Sequence, residues 1–172
     1  LVTQPGNPVR DKDVSFYGRE YPLDAHFVEN SADREWLWSQ YTPAFSQWRI
    51  DYEKRDGPLV EEAAGSGNIE PNLIPNPDLD PTDSIRREAR SLGFNEVGFT
   101  KYDRRYTYSS KKRWAKFPHA ICLAYEQDYA GTQKIPSEEA EYVHFDTYTT
   151  EGRLALKLAE YIRTLGYHAQ VH

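Results

Sequence analysis

The sequence predicts a chain of α/β or α+β class on three observations. Arg90-Ser91-Leu92-Gly93-Phe94 and Arg163-Thr164-Leu165-Gly166-Tyr167 repeat one order: helix end, glycine cap, strand start. His119 through Tyr125 form a near-continuous apolar run of the kind a buried strand requires. Leu154, Leu158, Tyr161 and Leu165 share one helical face, with Arg153, Lys157, Glu160 and Thr164 opposite. At 172 residues the chain holds one domain, or a domain with an added arm. Lysine and arginine number 21 against 27 acidic residues, a net charge of −6, which gives no support to a broad nucleic-acid surface. No apolar run reaches the roughly 18 residues of a transmembrane span. Aromatic residues make up 14%, too many for a disordered chain.

Residues 1–79 read as an N-terminal arm and linker. The arm carries Trp36, Trp38, Tyr41, Phe45, Trp48 and Tyr52 in one short window. Positions 38, 41, 45, 48 and 52 keep helical spacing, which Pro43 is expected to interrupt. Such a stripe docks the arm on the body or walls a ligand pocket; Trp36, Trp38 and Tyr41 are the candidate pocket residues. Gly57, Pro58, Gly65, Gly67, Pro71, Pro75 and Pro77 mark residues 56–81 as the boundary. Gly65-Ser66-Gly67 lacks the third glycine and the flanking strand of a nucleotide loop, so a plain flexible loop is expected.

Residues 80–172 read as the body. Asp80 caps a helix with Pro81 in its first position, Ile85, Ala89 and Leu92 mark its face, and Gly93 ends it. Residues 95–100 read as a strand. Residues 119–125 read as a buried central strand, with Cys122 a small packed hydrophobe. After a loop, the long helix starts beyond Tyr148 and ends at Gly166, and Tyr167 to Val171 turn into a strand. Both helices are then crossovers on one sheet.

Candidate chemistry is sparse. Cys122 is the only cysteine, which excludes an internal disulfide and any Cys₄ cluster within the chain. His168 and His172 are four apart on an expected strand, where that spacing builds no metal face, so no metal ligand set is expected within the chain. The basic stretch 101–116 interleaves tyrosines, a pattern that ordinarily forms a solvated face. Asp146-Thr147-Tyr148-Thr149-Thr150-Glu151-Gly152-Arg153 leads into the long helix. A tyrosine at a helix entrance can act as a general acid, and Gly152 would let a flat ligand approach the backbone.

The stretch from Tyr148 to Ala169, with its Leu165-Gly166-Tyr167-His168-Ala169 turn, resembles the corrinoid-dependent reductive dehalogenases and their relatives, the epoxyqueuosine reductases. Ser84–Gly93 and Val97-Gly98-Phe99 are similar to the earlier helix and strand of that fold. The resemblance covers about half the chain and none of residues 1–80. It implies a nitroreductase-like cobalamin-binding domain followed by a domain with two [4Fe-4S] clusters. The family's catalytic tyrosine precedes the tyrosine of the turn by 19 residues, and 167 − 19 = 148 falls on Tyr148. The resemblance makes Tyr148 the proton donor to the carbon losing halide. It makes Thr147 and Gly152 the candidate corrinoid contacts.

The chain departs from the family in lacking the cluster-binding cysteines. Methionine is also absent, as in a processed chain or a piece of a longer one. The expectation is an N-terminal segment, inactive alone, whose partners are the rest of its polypeptide, an organohalide and an electron donor. Family members are both cytoplasmic and exported, membrane-associated enzymes. An epoxyqueuosine-reductase-like enzyme and a non-catalytic interaction segment are the competing readings; the long aromatic arm speaks against the first.

Overall fold

The computed structural model describes residues 42–104, 107, 113–135 and 137–171. Trp36, Trp38, Tyr41 and His172 lie outside the described residues. Residues 42–100 and 119–171 belong to one compact unit, and the described residues of 101–118 to a second.

Helix α1 spans Pro43–Gly65. Pro43 starts this helix instead of interrupting it: its missing N–H is one a first turn leaves unbonded anyway. Thr42 caps the helix, its hydroxyl accepting from the Phe45 N–H at 3.2 Å and donating to Glu138 Oε2 at 3.0 Å. The helix continues through Gly57 and Pro58, where a loop was expected. Packing against a second helix on both sides of the proline outweighs the hydrogen bond that Pro58 cannot make.

Gly65-Ser66-Gly67 is not a flexible loop either. Ser66–Asn68 form a 3₁₀ turn, and Ser66 is fully buried. The Ser66 hydroxyl donates to the Ala63 carbonyl at 2.6 Å and accepts from the Val171 N–H at 2.8 Å. Its carbonyl accepts from the buried Arg163 guanidinium at 3.0 Å. A serine held by both chain directions makes this a fixed corner.

Helix α2 spans Thr82–Leu92, with the Thr82 N–H donating to Asp80 Oδ1 at 2.9 Å. Gly93 ends it at φ 116, the left-handed cap that its sequence predicts. Strands β1, Glu96–Lys101, and β2, His119–Ala124, form a two-stranded sheet. The Asn95 N–H donates to the Ala124 carbonyl at one end and the Tyr102 N–H to the Pro118 carbonyl at the other, so the pair is antiparallel. No described helix crosses between parallel strands, in contrast to the expected crossover arrangement. The sheet is also half-open. Val97, Phe99, Ile121 and Leu123 pack inward, whereas Gly98, Thr100, Cys122 and Ala124 are exposed. Cys122 therefore lies on the outer face and not inside a core.

After a single turn at Tyr129–Thr132, α3, helix α4 spans Glu138–Thr164. Ser137 caps it, and Glu138, Glu139 and Glu141 favour the positive end of its dipole. Ile85, Ala89, Phe94, Leu158, Ala159 and Ile162 form the core that joins α2 to α4 above the sheet. Gly166 follows α4 at φ 92, and an added Cβ there would lie 2.5 Å from Pro75 N. Tyr167–Val171 forms no strand; this segment instead bonds to the Ser66 corner. No helix among the described residues is long and apolar enough to cross a membrane. The whole is a mixed helix and small-sheet, α+β, architecture.

Candidate functional site

The second turn-run of α4 carries the sequence-predicted residues, and its start decides their geometry. Because α4 begins at Glu138, Tyr148 lies in the helix interior and not at a helix entrance. It has no freed backbone amides beside it. Its ring is 58% exposed and meets the ring of His144, one turn earlier, edge to face at 4.7 Å. Consecutive helical residues are turned by about 100°, so Thr147 and Tyr148 point to different sides. The Thr147 hydroxyl donates to the Val143 carbonyl at 2.8 Å. Thr147 lines a concavity of about 360 Å³ with Asp146, Thr150, Tyr125, Glu126 and Asp128, and Tyr148 is not among its walls.

Gly152 faces α1. A Cβ at Gly152 would stand 3.1 Å from Leu59 Cδ2, so the glycine lets the two helices approach. The surface expected to admit a flat ligand is covered by this contact. Tyr148, Thr147 and Gly152 are therefore not gathered around one space. Phe45, Trp48 and Tyr52, from the aromatic stripe, dock against Tyr142 and Phe145 of α4, with Trp48 and Tyr142 at 4.4 Å. The docking reading of the stripe holds for these three.

The structured polar centre is one that the sequence did not single out. Asp56 is 5% exposed in the α1–α4 interface. Thr149 donates to its Oδ2 at 2.7 Å, and Arg55 donates to the same oxygen at 2.9 Å. Arg153 lies 3.5 Å from its Oδ1. The Tyr52 hydroxyl extends the chain, lying 2.8 Å from Thr149 Oγ1 and 2.9 Å from the Phe145 carbonyl. The hydrogen bond from Arg55 holds Asp56 below the usual carboxylate range; burial opposes this, and the Thr149 hydroxyl and Arg153 charge assist it. A signal existed in the paired i,i+4 steps Tyr52/Asp56 and Phe145/Thr149, but the pairing joins residues 93 apart.

Among the described residues, no group of side chains fits either cofactor that the resemblance implies. One cysteine cannot build a four-thiolate cluster, and no three metal-ligating side chains gather among the described residues. Leu59 covers Gly152, and the concavity beside Thr147 is too small for a corrin ring. No family model, no curated protein and no solved structure matches this chain.

Proposed function

We propose that this chain is the N-terminal segment of a corrinoid- and iron–sulfur-dependent reductive dehalogenase, an oxidoreductase in which Tyr148 donates the proton that replaces halide on carbon. The observation that carries the reading is the register of Tyr148. It stands 167 − 148 = 19 residues ahead of Tyr167 in a helix–glycine turn, and its ring is exposed on α4. Replacing a carbon-bound halogen by hydrogen consumes two electrons and one proton and releases halide. Tyr148 supplies the proton and is reprotonated from water. The electrons come from cofactors held largely by other parts of the polypeptide.

The test uses the complete reading frame, produced anaerobically with hydroxocobalamin and iron, and measures halide release from an organohalide with a chemical reductant. Tyr148→Phe keeps the ring and cannot donate, so turnover should fall about 10²-fold or more with corrinoid loading intact. Turnover near that of the unaltered enzyme removes Tyr148 from the mechanism. The 172-residue chain alone should not take up hydroxocobalamin tightly. A non-catalytic interaction segment is the second reading. The exposed sheet face of Gly98, Thr100, Cys122 and Ala124 favours it, and a complete reading frame without cluster-binding cysteines would decide for it.

A further inference from the structure

We propose that residues 69–79 form a docking ledge for a basic, amphipathic segment of another protein. Ile69, Leu73, Ile74 and Leu79 are all exposed, Ile74 to 89%. Single exposed apolar residues are ordinary on any surface, but four so close together mark an interaction site. The stretch reaches at most about 40 Å, and a turn, in which the Leu79 N–H donates to the Asn76 carbonyl at 3.2 Å, shortens it. An ordinary interface takes about 20–30 residues from each side, so one partner can meet all four side chains. The ledge is also held in place. The Asn72 N–H donates to the Arg163 carbonyl at 3.1 Å, and the Asp78 N–H to Asn76 Oδ1 at 3.0 Å. Gly166 packs so closely on it that an added Cβ would stand 2.5 Å from Pro75 N. Pro71, Pro75 and Pro77 fix their own φ angles, which leaves less backbone freedom to lose on binding. They also lack N–H donors, so a partner reads this segment by its side chains and not by adding a strand to its backbone.

Charge selects the partner. The sequence holds no lysine or arginine between Arg55 and Arg86. In that interval Glu61, Glu62, Glu70, Asp78, Asp80 and Asp83 are all exposed. Among the described residues, Glu70 pairs with His168 at 3.7 Å and Asp83 with Arg86 at 2.6 Å, and the other four form no ion pair. Apolar side chains set among carboxylates match an apolar stripe flanked by lysines or arginines. The acidic field steers such a partner to this face. A second copy of this chain brings the same acidic face and a net charge of −6, and is repelled. Anionic lipid and nucleic acid are repelled for the same reason. The ledge is independent of the dehalogenation reading and uses none of its residues.

The test is fluorescence anisotropy of a labelled leucine–lysine peptide of amphipathic helical spacing, titrated with the 172-residue chain. It should bind at least about tenfold more tightly than a scrambled peptide of the same composition, and more weakly as salt is raised. Leu73→Ser with Ile74→Ser should weaken it at least about tenfold, since burying even one such side chain is worth about that factor. Leu79→Ser, a second and separate variant, should weaken it about threefold or more. Glu70→Gln with Asp78→Asn should weaken it about threefold and flatten its salt dependence. Ile135 is exposed outside the ledge, and Ile135→Ser should leave affinity within about twofold. Circular dichroism of each variant confirms that the fold is kept. Equal affinity for the scrambled peptide overturns the ledge, as does affinity unmoved by the substitutions at Leu73, Ile74 and Leu79. Self-association in sedimentation velocity that Leu73→Ser with Ile74→Ser abolishes, or binding to phosphatidylserine vesicles that the same pair abolishes, overturns the assignment to a basic protein partner.

Discussion

Replacing Asp56 by alanine removes the carboxylate that joins α1 to α4, and its cost follows from its three partners. Arg55 and Arg153 are 52% and 59% exposed, so water screens both and the buried partner decides the cost. Thr149 is buried, and its hydroxyl loses a charged acceptor at 2.7 Å and keeps only the neutral Tyr52 hydroxyl at 2.8 Å; a hydrogen bond to a charged group is worth about 1.5–3 kcal/mol. Asp56→Ala should therefore destabilise by about 1.5–3 kcal/mol at neutral pH. Urea unfolding followed by tryptophan fluorescence is the assay, because Trp48 sits in the same interface. The difference from the unaltered chain should also depend on acid. The folded Asp56 titrates below its unfolded value, so its stabilisation is complete above the ordinary aspartate pKa. It is lost as pH falls through the depressed folded value. The gap between the unaltered chain and Asp56→Asn should accordingly shrink in that acid window. A double-mutant cycle with Thr149→Val should show coupling of about 0.5 kcal/mol or more. A stability change below about 0.5 kcal/mol for Asp56→Ala, the scale of an ordinary surface substitution, would refute this account.

Three further substitutions test the glycines that admit close approach. Gly166→Ala combines a positive φ of 92 with a Cβ 2.5 Å from Pro75 N; it should cost about 1–3 kcal/mol or more, read as a lowered urea midpoint. Gly152→Val meets Leu59 across the α1–α4 contact and should destabilise by about 1–3 kcal/mol, whereas Gly152→Ala, which gains about 1 kcal/mol of helix propensity, should come close to neutral; equal stability of both variants would show that Gly152 does not set the helix spacing.

The parts legible in the sequence are those decided by near neighbours. The Gly93 and Gly166 caps need only a helix end and a residue that tolerates positive φ, and both adopt it. The strands appear at 96–101 and 119–124 because a short alternating segment and a short apolar run, flanked by turn residues, have few other uses. The apolar face of Leu154, Leu158 and Ile162 fixes the second half of α4, and it packs as its spacing predicts. Even there the pattern overstated burial. An apolar strand reads as enclosed on both faces, and only its partners decide that Cys122 and Ala124 stay open.

The candidate site depended on long-range contacts that no local window contains. Pro58 argues for a loop, yet α1 continues because Asp56 is bonded to Thr149, 93 residues away. Ser66 looks like linker composition and is buried because Arg163 and Val171 close on it. The start of α4 at Glu138 turns Tyr148 from a residue at a helix entrance into an exposed ring in mid-helix, with Gly152 set against Leu59. Caps and periodicity act over about one helical turn, so sequence alone determined them here. The docking of α1 on α4 depends on groups from distant parts of the chain excluding water together, and only the tertiary structure decided which residues those were.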